Sequence, residues 1–93
     1  MSLTITRGVP IVVTGTTTAS QVIVDDVVYV KFIYWFNPTT AGHLLTLKQA
    51  GGEVIIPLRC ESDGVSQTFA LESKFSSIYC DDMDSGELYI YIR

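Results

Sequence analysis

Ten consecutive residues, VVYVKFIYWF at positions 27–36, contain a single charged side chain, Lys31. Val, Ile, Tyr, Phe and Trp suit a pleated strand better than a helix. The run is also about half the length a membrane-spanning helix requires. Read as a strand with strict alternation, one face carries Val28, Val30, Phe32, Tyr34 and Phe36, and the other carries Val27, Tyr29, Lys31, Ile33 and Trp35. Both faces are largely apolar. Such a strand is either covered on both sides or presents aromatic surface to a partner. A chain of 93 residues builds one thin domain with one inner face to offer, so a partner is the expectation.

The rest of the chain repeats the β signature. No window of helical length places apolar residues at i, i+3, i+4 and i+7 free of β-branched residues or Gly. Short alternating runs at 3–7, 9–14, 21–24, 43–49, 53–60, 66–71, 75–80 and 87–93 are separated by polar, Gly-containing connections. Pro10 and Pro57 cannot donate a ladder hydrogen bond, which puts their segments at a sheet edge or bulge. Asn37 to Gly42 carries Asn-Pro and a closing Gly, a turn signal, and Gly51-Gly52 predicts a tight hairpin. The expected fold is one all-β domain over residues 1–93. It is an antiparallel β-sandwich of eight or nine short strands, of which the jelly roll is one form.

Composition narrows the function classes. Apolar residues make up 47% of the chain and charged residues 17%, below the roughly 25% usual in globular domains. The excess points to an apolar surface, and so to an interface. The net charge is −4, and Arg7, Lys31, Lys48, Arg59, Lys74 and Arg93 are scattered singly. A nucleic-acid partner needs clustered cations, so none is expected. The opening MSLTITRG lacks a basic region followed by a long apolar stretch, so synthesis in the cytoplasm and no membrane association are expected.

Chemistry-bearing residues are sparse. Cys60 and Cys80 stand twenty positions apart and read as buried small side chains, with a disulfide as the alternative. A zinc site would need two more ligands, and His43 is the only imidazole, so no metal or cofactor is expected. The acidic stretch at 81–87 has oxygen ligands before Gly86 but lacks a calcium loop's spacing, and reads as a solvated turn. No nucleophile sits in a Gly-flanked elbow for His43 to activate, so no catalysis is expected. That leaves the aromatic side chains. Tyr29, Trp35, Tyr89 and Tyr91, with Ile33 beside them, are the candidate protein-interface residues; stacking on sugar rings and simple core packing are the alternatives.

Three stretches carry a resemblance. They are VKFIYWFNPTTAGHLLTLKQAGGEVI at 30–55, the middle from Leu58 to Phe75, and the closing MDSGELYIYIR at 83–93. The pattern resembles small β-rich proteins from the structural gene modules of tailed bacteriophages. The resemblance implies a virion component on the capsid surface, foremost a head decoration (cement) protein binding the major capsid protein. It also implies sister subunits in a homo-oligomer, a dimer or trimer, and it carries no catalytic residues. A tail, neck or fibre position, or a carbohydrate-binding sandwich, are the alternatives.

Overall fold

The computed structural model describes residues 3–93, which form nine strands and no helix. Their ranges are β1 Leu3–Thr6, β2 Ile11–Gly15, β3 Gln21–Val24, β4 Val28–Phe36, β5 Leu44–Lys48, β6 Val54–Arg59, β7 Gln67–Phe75, β8 Ile78–Met83 and β9 Glu87–Ile92. A five-stranded sheet in the order β1-β2-β9-β4-β7 packs on a four-stranded sheet in the order β3-β8-β5-β6. Every pairing is antiparallel.

The pairings are nested. β5 pairs with β6, β4 with β7, β3 with β8 and β2 with β9, so strands two to nine are one long hairpin rolled on itself. The roll closes when β4 also pairs with β9 and β5 with β8. That topology is the eight-strand jelly roll, and β1 extends one sheet beyond it. The sandwich expectation therefore holds, with the jelly-roll form.

The inner faces supply one core. Ile11 and Val13 of β2, Leu45 and Leu47 of β5, Ile78 and Cys80 of β8, and Leu88 and Ile90 of β9 alternate inward as period-two strands require. Pro57 lies in β6, which is an edge, as its missing N–H demands. Pro10 lies just ahead of β2 rather than within it. The Gly51-Gly52 signal closes a longer connection than a two-residue hairpin: Gln49 N–H donates to Glu53 O at 2.8 Å, and Gly52, at φ 91°, donates to Gln49 O at 2.9 Å.

Two strands run further than their alternation suggests. β7 continues through Lys74 to Phe75, because Val28 and Tyr29 of β4 offer it a ladder there. β8 continues through Asp81 and Asp82 to Met83, whose side chain is fully buried. The acidic turn is thereby shortened to residues 84–86.

Candidate functional site

Strict alternation fails in β4. Between Val30 and Phe32 the strand takes two steps for one of β9, so Lys31 is an extra residue there and the phase of the strand reverses; β7 matches the reversal with an extra residue of its own at Leu71–Glu72. Val30 points into the core before the bulge; Ile33 and Trp35 point into it afterwards, at 1% and 0% exposure. Phe32, Tyr34 and Phe36 fall on the outer face of the five-stranded sheet. This corrects the interface expectation for Ile33 and Trp35, which have no surface to offer a partner. Trp35 is a core anchor whose Nε1–H donates to Ser85 O at 2.9 Å.

Tyr29, Tyr89 and Tyr91 stay partly exposed, and the sheet brings the two C-terminal ones against the outward aromatics of β4. Register sets Phe32 opposite Tyr91 and Tyr34 opposite Tyr89 on the neighbouring strand. The Phe32 and Tyr91 rings stack at 4.4 Å between centroids. Tyr89 lies 6.1 Å from Tyr34 and 6.4 Å from Phe36, the latter edge-on. Such ladders stabilise a sheet by about 0.2–1 kcal/mol per pair. Flanking strands carry smaller groups: Val12 stands opposite Tyr89, and Ala70 and Thr68 stand opposite Phe32 and Tyr34. The rings form a ridge along the two central strands, and Phe36 is 43% exposed. Tyr34, Phe36, Tyr89 and Tyr91 line a shallow cleft of about 210 Å³ on it.

The ridge has electrical polarity. At one end the Arg93 guanidinium sits 4.8 Å above the Tyr29 ring, a cation–π contact. Lys74 stands opposite Tyr29 on β7, and Lys31 is exposed at the bulge. Arg93 and Lys74, distant in sequence, thus meet at one tyrosine, and Lys31 lies two residues further along β4. Among the described residues the ion pair is Lys48–Asp81 at 3.1 Å, so none of these three cations is neutralised that way. At the other end Tyr89 Oη donates to Glu87 Oε1 at 2.7 Å. That bond, followed by partial burial, pushes the Tyr89 phenol above its ordinary range.

A second cluster joins the turn before β5 to the turn before β9. His43 Nδ1 lies 2.7 Å from Ser85 Oγ, which also accepts from Thr39 N–H at 3.0 Å. Leu44 N–H donates to Asp84 Oδ2 at 2.9 Å. Asp82 Oδ1 is buried without a hydrogen-bond partner. Loss of water there, then the neighbouring Asp84 carboxylate, push the Asp82 carboxyl up to about 6. The serine beside His43 was not singled out from sequence, although Ser85 before the turn residue Gly86 was its one available signal. Its Oγ is already held by a backbone N–H, and no carboxylate bonds the far nitrogen of His43 among the described residues. The arrangement pins two turns together and lacks the base–orienter half of a triad.

Cys60 and Cys80 are buried free thiols, as the small-side-chain reading expected. Burial pushes the Cys80 thiol up to about 12. Among the described residues no group of three or more His, Cys, Asp or Glu side chains could hold a metal ion. Among the described residues no helix is long and apolar enough to cross a membrane. Comparisons with family models, curated proteins and solved structures returned no match.

Proposed function

We propose that this chain is a non-catalytic assembly subunit of a tailed-phage particle, a head decoration protein that seats its aromatic ridge on the major capsid protein. The observation that carries the proposal is the cross-strand ladder Phe32–Tyr91 and Tyr34–Tyr89, left open on a rigid sheet. A lone protomer gains little from stacking rings on its outer face, whereas Tyr and Phe are the residue types that anchor interfaces. The jelly-roll topology supports the proposal by analogy only, since this roll recurs in viral shell domains and in lectins.

The energetics suit a repeated contact. An apolar patch of about 300–600 Å² is worth roughly 8–15 kcal/mol at about 25 cal/mol per Å². Association costs about 4–15 kcal/mol. The two are of comparable size, so occupancy gains from many identical sites or from linked copies. The cations around Tyr29 add a complement for carboxylates on the shell and make the binding weaken with salt.

Quantitative mass spectrometry of purified particles of the phage encoding this chain tests the proposal. Hundreds of copies per particle are expected. A few dozen would place the chain in the tail or neck, and none would overturn the virion assignment. One observation favours a second reading: the Tyr34–Phe36–Tyr89–Tyr91 cleft offers ring faces beside phenol hydroxyls and Glu87, a set that stacks on sugars. Binding on a glycan array that is lost in Phe36→Ser would support it.

A further inference from the structure

The sandwich has four strand edges, at β1, β7, β3 and β6, and an edge is a row of backbone groups able to pair with another chain. Three are blunted. β1 is four residues long, β3 is four residues long with a register shift, and β6 contains Pro57. β7 is nine residues long. Its second half is interrupted by Glu72, at φ 47°, and carries Lys74. Its first half, QTFAL at 67–71, has no charge, no proline and no glycine. Among the described residues, no hydrogen bond outside the ladder with β4 reaches the backbone of 68–71. Phe69 stands opposite the buried Ile33 yet is 38% exposed, because it lies on the outermost strand.

We propose that this half of β7 is the contact between sister copies, two chains pairing antiparallel about Phe69. The inference deepens the assembly reading and rests on it in taking the chain to self-associate. An antiparallel pair centred on one residue satisfies two-fold symmetry, so the surface is complementary to itself. Phe69 meets Phe69 of the partner, Thr68 meets the partner's Ala70, and Gln67 meets the partner's Leu71. Four to six backbone hydrogen bonds form, depending on which pairs are the hydrogen-bonded ones. The two five-stranded sheets become one continuous sheet. Its two-fold axis runs perpendicular to the sheet, so both aromatic ridges face the same side, with the two copies of β4 about 14 Å apart. A dimer would then meet the shell with two linked ridges, from which occupancy gains.

Sedimentation equilibrium over a concentration series tests the contact. The parent should reach twice the 10.3 kDa chain mass. Thr68→Lys combined with Ala70→Lys sets lysine opposite lysine twice and should raise the dissociation constant roughly 2- to 30-fold. Thr68→Glu with Ala70→Lys sets opposite charges there and should return it to the parent range, more so at low salt. Trp35 fluorescence checks that each variant is folded, and amide exchange at 67–71 in the parent should slow as concentration rises. A parent monomeric throughout, or a dimer equally tight in the double-lysine variant, overturns the contact. If Phe36→Ser dissociates the dimer instead, the edge is wrong and the copies meet through the ridge. Copy number on particles is independent of these outcomes, so failure of the edge and failure of the virion role are told apart.

Discussion

Substituting Trp35 separates a core anchor from an interface anchor. Its side chain is fully buried, and its indole N–H bonds Ser85 O at 2.9 Å. Trp35→Phe keeps most of the packing but leaves that buried carbonyl without its donor, which costs about 1–3 kcal/mol. Trp35→Ala adds a cavity, for about 3–5 kcal/mol in all. A domain this size has roughly 5–14 kcal/mol to lose. With a urea slope of about 1–2 kcal/mol per molar, a loss of about 2 kcal/mol lowers the Trp35→Phe midpoint by roughly 1–2 M. The assay is urea unfolding followed by far-UV circular dichroism, because Trp35 is the only tryptophan and its fluorescence goes with it. A Trp35→Phe midpoint matching the parent, with association impaired, would refute the core assignment.

Gly86→Ala should destabilise the fold by more than about 1–2 kcal/mol: φ is 81°, and a Cβ would lie 2.8 Å from both Phe36 O and Trp35 Nε1. Urea midpoints check this, and an unchanged midpoint would contradict the turn geometry. Asp82 holds its proton more tightly folded, at about 6, than its ordinary 3.8, so unfolding free energy should rise as pH falls from 7 to 5 and level off near 4. Asp82→Asn should flatten that dependence, and a parent that loses stability over the same interval would contradict the burial of Oδ1. Both thiols should react slowly with a disulfide reagent at pH 8 in the native protein and quickly in urea. Fast native labelling would contradict their placement. Phe36→Ser should shift stability by less than about 1 kcal/mol, because it removes a ring from the outer face.

Most strands were legible in the sequence, because alternation in runs such as Leu45–Leu47 and Leu88–Ile90 survives intact in the fold. Pro57 marked its edge correctly for a local reason, a missing donor. The face of β4 was misassigned because one inserted residue reverses the phase of all that follow. Nothing in VVYVKFIYWF distinguishes the bulge, since Lys31 fits an alternating strand equally well. The candidate site suffered accordingly: Tyr89 and Tyr91 come from an unbulged strand and were placed outward, whereas Ile33 and Trp35 lie beyond the bulge and turned inward. The extension of β8 through two aspartates was illegible for another reason. Met83 is drawn into the core by β5 and by the Thr17 bridge, both distant in sequence. The cation group at Tyr29 likewise exists only through the β4–β7 register and the β9 terminus.

The claim on which the rest depends is that the outward rings of β4 and β9, which the fold can spare, are what the chain uses to hold its partner. The direct measurement is the number of copies of a Tyr34→Ser, Phe36→Ser variant retained on purified phage particles, alongside its urea midpoint. A folded variant missing from particles that carry the parent in hundreds is the predicted result. The same variant retained at parental copy number would contradict it.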